Sequence, residues 1–295
     1  MLKYFINSFV SSMLLFQTNY AFAKIMETSD VYLIREEMLK FTPDDLITFD
    51  VKGVIYTPED HILSPKHVPK FKQKLREIAD ERGHDEAHRL ESIVLSSYEP
   101  VLVDVALPGI ITEAKNNGIK IIALTSGKTG AVGGLKSREN LRLKRLKKLG
   151  VDFSSSFSQS EILLDASPYN GVELPPSIYK NGVIFASRRP KGHIIEIFLQ
   201  KVDFQPKKIM HIDNRLNKIL QVESFCKKHN IEFLGIHFTK IYVDADREFN
   251  EKVAERKIQI LKSEEKWVSD KTAYCMVNSE LAPSICSDEF TVDDK

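Results

Sequence analysis

Apolar and polar positions along this chain fall into short apolar runs separated by longer amphipathic stretches. Leu46-Ile47-Thr48-Phe49 is one such run, bounded by Pro43-Asp44-Asp45 before it and Gly53 after it. Its β-branched and aromatic content and its turn-forming borders predict a buried strand. The runs at residues 119–124, 208–212 and 231–237 read the same way, with weaker strand-like pieces at 161–164 and 182–185 broken by proline and glycine. Helical spacing predicts helices over residues 31–40, 66–82, 86–97, 110–117, 137–148, 192–201, 216–228 and 244–266, with Gly118 and Gly150 as stop signals. Strands alternating with helices predict an α/β fold, a parallel sheet flanked by helices. The polar, helical stretch at about 57–98 lies between the first two strands and predicts a small helical cap insertion. Residues 268–295 have little apolar periodicity and predict a loosely held C-terminal tail, which leaves 24–267 as the main domain.

The first 23 residues differ in kind. Lys3 supplies a short positive region, residues 5–16 an apolar stretch, and Ala21-Phe22-Ala23 a small-x-small cleavage site. This is the layout of a secretory signal peptide cut after Ala23, so the mature protein is expected to be periplasmic or secreted. No later run reaches the length of about 18 apolar residues that reads as a membrane span.

Net charge is +1, with 28% charged and 42% apolar residues. That balance excludes a general nucleic-acid binder, which needs a basic excess. The basic stretch 136–148, with seven Lys/Arg, reads as a solvated helix face because Leu141, Leu146 and Leu149 supply its apolar side. Export makes a disulfide possible. Cys275 and Cys286 could close a small loop, whereas Cys226 reads as a buried thiol on a helix face. His211 reads as a core histidine, and His84, His88 and His193 lack metal-ligand spacing.

The candidate chemistry lies at strand ends. In a parallel sheet, ligands bind at the carboxyl ends of the strands. Asp50, Thr125 and Asp213 each follow a predicted strand and so share one crevice. Phosphoryl transfer through a covalent intermediate needs a carboxylate nucleophile, cations for the phosphoryl oxygens and a divalent metal held by oxygens. Asp50 suits the nucleophile, Thr125 or Ser126 the hydroxyl donor, and Lys191 the cation. Asp213 suits the metal ligand, with Asn214 and Asn217 close behind. Ser126 and Arg188 are candidate substrate contacts, although Arg188 and Arg189 also read as a solvated loop pair.

LITFDVKGVI (46–55), IIALTSG (121–127), Lys191 and IMHIDN (209–214) resemble, in order, the four motifs of the haloacid dehalogenase-like (HAD) superfamily. YKNGVIFASRRPKG (179–192) followed by IMHIDN resembles more closely still a bacterial family of that superfamily, DUF2608 (domain of unknown function). The resemblance covers roughly 40–240. It implies a Rossmannoid core, an aspartyl-phosphate on Asp50, and Mg2+ held by Asp50, Asp213 and the backbone carbonyl of Lys52. It also implies a small phosphorylated molecule as partner. One position departs from the pattern: the superfamily's phosphatases carry an acid/base aspartate where this chain has Lys52. A lysine starts protonated near neutral pH unless its pKa is strongly lowered. The residues therefore point to a phosphate-ester hydrolase impaired at Lys52, or to a non-enzymatic binding protein on the same fold.

Overall fold

The computed structural model describes residues 23–243 and 249–278. The chain runs β1 (Ala23–Thr28), α1 (Val31–Met38), β2 (Leu46–Phe49), β3 (Tyr56–Pro58), α2 (Val68–Arg82), α3 (His84–Ser97) and β4 (Pro100–Leu102). It continues α4 (Leu107–Asn116), β5 (Lys120–Thr125), α5 (Arg138–Lys148), β6 (Glu161–Asp165), β7 (Ser177–Lys180), β8 (Val183–Phe185) and α6 (Lys191–Lys201). The remainder is β9 (Lys208–Asp213), α7 (Leu216–Lys228), β10 (Glu232–Phe238), α8 (Lys240–Val243), α9 (Glu251–Glu264) and α10 (Asp270–Val277). None of the helices among the described residues is long and apolar enough to cross a membrane.

The predicted strands 46–49, 119–124, 208–212 and 231–237 are all present, and they pair in parallel as expected. The sheet has eight strands in the order β1-β10-β9-β2-β5-β8-β7-β6. Only β6/β7 and β7/β8 are antiparallel. They are joined through loops with no crossover helix, so the chain reverses there instead of crossing over. Pleating sends alternate side chains to opposite faces. Ile47, Phe49, Ile121, Ala123, Met210 and Ile212 pack with α1, α4 and α5, while Leu46, Ile122, Leu124 and Ile209 pack with α6 and α7. Helix starts are fixed locally. The side chains of Asp30, Ser137, Asn250 and Ser269 accept backbone N–H bonds at the starts of α1, α5, α9 and α10.

α6 and α7 approach closely at Gly192. A Cβ there would lie 2.1 Å from the Gln221 carbonyl oxygen. Gly192→Ala is therefore expected to cost about 1–3 kcal/mol by overpacking, read as a lower urea midpoint with an unchanged m-value.

Three expectations need correcting. First, an additional edge strand, β1, pairs in parallel with β10 from Ala23↔Phe233 to Thr28↔Phe238. It begins at the expected cleavage site; residues 1–22 of the expected signal peptide lie outside the described residues. Second, residues 270–277 of the expected loose tail form α10, which is held by charge. Asp270 Oδ1 lies 2.6 Å from Lys257 Nζ, and Asp270 Oδ2 accepts from the His61 backbone N–H at 2.9 Å. Lys257 is fully buried on α9 and also pairs with Asp60. Third, residues 249–250 of the helix predicted from 244 are not helical, and α9 starts at Glu251 behind the Asn250 cap; residues 244–248 lie outside the described residues.

The helices predicted within 57–98 are α2 and α3, divided at Gly83 (φ 89°). They sit on a two-stranded stalk made by β3 and β4. α9 and α10 join the same layer, since Lys262 bridges Glu81 at 2.7 Å and Phe71 stacks edge-on against Trp267. Cys226 is a buried free thiol, its pKa pushed up to about 12 by burial and then by Glu223. Cys275 is disulfide-bonded. Cys286 lies outside the described residues.

Candidate functional site

The strand order changes direction at β2: the chain moves first to β5 on one side and later to β9 on the other. A crevice opens at such a switch point, outside the carboxyl ends of the strands. Asp50 directly follows β2, its backbone N–H bonded to the Ile212 carbonyl at 2.8 Å. Thr125 closes β5 and Asp213 closes β9. The three residues that the sequence placed at strand ends are thus brought together.

Lys191 is the first residue of α6, and its side chain runs into the crevice. Nζ donates to Asp50 Oδ1 at 2.7 Å and to Asp213 Oδ2 at 2.5 Å. All three residues are buried, Lys191 and Asp213 completely. Burial alone raises the Asp213 pKa, but the charge of Lys191 and the contact with His211 outweigh it and hold the carboxyl well below the usual carboxylate range. His211, a core histidine as expected, places Nδ1 2.8 Å from Thr48 Oγ1 and Nε2 3.4 Å from Asp213 Oδ2. Burial first, then Lys191, lowers its pKa.

The turn that presents Lys191 is strained. Ser187 and Arg188 both lie in the left-handed region (φ 45° and 70°), where residues with a Cβ are disfavoured. Backbone bonds hold it there: Ala186, Ser187 and Arg188 N–H groups donate to the carbonyls of Thr125, Gly127 and Ser126. The loops after β5 and β8 are thereby stitched together. Arg188 is exposed. Arg189 is not the solvated residue the sequence suggested. It is fully buried, pairs with Asp165 at 3.0 Å, and donates to the Pro175 and Ser167 carbonyls. It closes the loop between β6 and β7. Asn217 is exposed on α7.

Lys52 is half-buried beside the crevice, with Nζ 6.0 Å from the Tyr98 ring centre. Desolvation, with smaller contributions from Arg142, Lys72 and Arg145, lowers its pKa to about 8. Gly53 follows in the left-handed region (φ 95°), and a Cβ there would lie 2.6 Å from Asn214 Nδ2. Only glycine lets this loop meet the Asn214 amide. Asn214 Nδ2 donates to Tyr242 Oη at 3.1 Å, while its buried Oδ1 has no partner.

Sequence reasoning missed Arg142. The helix it occupies was expected to turn its charge to solvent, and Lys144, Lys147 and Lys148 do so. Arg142 and Arg145 turn inward. Arg145 donates to the carbonyls of Leu95 and Tyr98 and lies 3.6 Å from the Tyr98 ring centre. Arg142 Nη1 reaches 3.5 Å from Thr125 Oγ1, and a Cβ on Gly127 would lie 1.6 Å from it. Spacing carries the missing signal: Arg142, Arg145, Leu146 and Leu149 fall at i, i+3, i+4 and i+7 and share one helix face.

Among the described residues, no group of three or more His, Cys, Asp or Glu gathers as a metal cluster. Asp50 and Asp213 are hard oxygen donors of the kind divalent cations take, and the Lys191 ammonium stands between them.

Comparison with known proteins agrees on kinship. A Rickettsia felis "Uncharacterized protein" is 24% identical over 234 residues, 73% of this chain and 77% of that one. A Chlamydia muridarum protein named "Putative outer membrane protein" is 23% identical over 218 residues, again 73% and 77%. A Chlamydia trachomatis protein of the same name is 29% identical over 138 residues, 46% of each chain. The family described as "Protein of unknown function (DUF2608)" matches residues 27–274, from β1 into α10. The chain belongs to the DUF2608 family.

Proposed function

We propose that this protein is a HAD-like hydrolase of small phosphate esters that works outside the cytoplasm, slowed by Lys52. One observation carries the reading. An aspartate, a threonine and a second aspartate stand at the ends of three adjacent parallel strands, and a buried lysine bridges the two acids. Two carboxylates held so close resist burial without such a cation. A nucleophile next to a phosphoryl-binding cation is what covalent phosphoryl transfer requires.

Asp50 attacks phosphorus, forming the aspartyl-phosphate as the ester P–O bond breaks and the leaving oxygen departs as an alcohol, taking its proton from water. Lys191 and the hydroxyls of Thr125 and Ser126 hold the phosphoryl oxygens. Ser126 Oγ is buried with no partner and so is free to donate. Water then attacks phosphorus, freeing phosphate and restoring the Asp50 carboxylate. Asp50, Asp213 and the Lys52 carbonyl would hold Mg2+, which when bound neutralises charge on the phosphoryl group. α2 and α3 on their stalk serve as a cap that excludes water. An extracytoplasmic site of action is supported by the expected signal peptide and by the "outer membrane" name of the chlamydial relatives.

A second reading, a phosphate-binding protein without turnover, is favoured by Lys52 itself, a cation where turnover calls for an acid/base carboxylate, with Arg142, Lys72 and Arg145 adding positive charge around it. Turnover of generic phosphate esters with Mg2+ separates the two. Hydrolysis abolished by Asp50→Asn with the fold retained supports the enzyme. An inert native chain that gains activity on Lys52→Asp indicates a site specialised away from turnover. An inert chain in both forms that binds no phosphate overturns both readings.

A further inference from the structure

Buried cations in this chain are paired as a rule. Lys191 has two carboxylates, Lys257 has Asp60 and Asp270, and Arg189 has Asp165 and backbone carbonyls. Arg145 is satisfied by the carbonyls of Leu95 and Tyr98. Two half-buried cations at the crevice lack such partners. Arg142 forms no ion pair among the described residues; its Nη1 lies 3.5 Å from Thr125 Oγ1, and its buried Nε has no hydrogen-bond partner. Lys52 forms no ion pair among the described residues, and its Nζ lies 6.0 Å from the Tyr98 ring centre.

A desolvated charge without a counter-ion is costly, and like charges side by side add to the cost. A helix that could carry a neutral residue at 142 instead directs a guanidinium onto Gly127. The hydroxyls of Tyr56 and Ser126 and the Arg142 Nε are three buried polar groups beside these cations with no partner. Tyr98, the residue after α3, has its ring 6.0 Å from Lys52 Nζ and 3.6 Å from the Arg145 guanidinium, which puts this cluster on the side of the helical layer.

We infer that Lys52 and Arg142 form a second anion subsite, so that the ligand carries two anionic groups: a phosphate at Asp50–Lys191 and a further phosphate or carboxylate a few bonds away. This rests on the proposed function for the first group only. The guanidinium offers a planar pair of donors suited to either anion, and the Tyr56 hydroxyl adds a third donor.

Calorimetric titration of the full chain tests it with three non-hydrolysable probes. Methylphosphonate carries one anionic group, phosphonoacetate adds a carboxylate, and methylenediphosphonate adds a second phosphonate. At least one two-anion probe is expected to bind about tenfold or more tightly than methylphosphonate, the gain from charge-assisted hydrogen bonds to the second group. Whichever wins names that group. Arg142→Gln and Lys52→Met should each remove most of that advantage and reduce methylphosphonate affinity far less. Equal affinities for all three probes in the native chain overturn the inference, and need no variant to fold. So does an advantage that survives both substitutions. Turnover reports separately on the first group. A two-anion preference without Asp50-dependent hydrolysis removes the hydrolase and keeps the subsite, whereas hydrolysis without the preference does the reverse.

Discussion

Lys191→Met is expected to destabilise the protein by about 3–5 kcal/mol at neutral pH, the range for breaking a buried ion pair by removing one partner. The substitution keeps the length of the side chain, so little packing is lost. It leaves Asp50 and Asp213 buried and close together with no cation between them. One must then hold its proton, so a folded-state pKa rises above the unfolded value. A raised carboxyl contributes its stability below the unfolded pKa, about 4, and loses it as pH rises through the folded value. The deficit should therefore shrink on acidification. His211 adds to this. In the native chain burial and Lys191 lower its pKa, so its contribution is present above about pH 6.5 and is lost as pH falls. Without Lys191, an imidazolium at His211 can pair with Asp213, and that penalty eases. The native chain loses stability toward acid for the same reasons, since Asp213 is held low. Urea unfolding at pH 5 and pH 7.5 checks both halves. A deficit of equal size at the two pH values would mean that lost packing, and not unpaired charge, is responsible.

Lys257→Met is the second large effect, at about 3 kcal/mol. Lys257 Nζ pairs with Asp60 and with Asp270, and lies 4.4 Å from the Trp267 ring centre. Trp267 in turn donates to Asp60 Oδ2 at 3.3 Å. The single cation thus joins α9, α10 and the turn after β3. Its loss leaves Asp60 buried without its partner and Asp270 free to swing into solvent. α10 should detach, seen as a red shift of Trp267 fluorescence, the chain's one tryptophan, and as new proteolysis after Glu264. Adding Asp60→Asn should restore a substantial part of the loss, because a neutral amide tolerates burial better than an orphaned carboxylate. If the double variant is less stable than Lys257→Met alone, the charge account is wrong.

The ease with which the fold could be read from sequence varied with how much of each element is decided locally. Leu46–Phe49 and Lys208–Asp213 are dense apolar runs ending in aspartate, so strand and candidate site were read together. Ala23–Thr28 contributes only Ile25 and Met26 as large apolar residues and adjoins an apolar leader. Its strand character comes from β10, more than 200 residues later. The stalk strands are three residues each and exist by pairing with one another. α10 buries one apolar side chain, Ala273, and is held by Asp270, which no periodicity reveals. At the site, Asp50, Thr125, Lys191 and Asp213 follow from order and strand ends. Arg142 does not, because one inward cation among outward ones is visible only as helical phase. Arg189 and Arg188 are neighbours with opposite fates, decided by the left-handed turn that holds them.

The outermost strand and the helical layer share a further property. β1 is completed by β10, and α2–α3 by α9–α10, so both join segments from opposite ends of the chain. Such closures are entropically demanding and form slowly, since non-local contacts must wait for the chain between them to be ordered. During synthesis, Phe71 and Ile78 on α2 emerge well before their α9 and α10 partners exist. The molecule therefore reaches its final form only when its last third is available, and a chain that stalls short of α9 presents those residues to the aggregation that threatens half-folded intermediates.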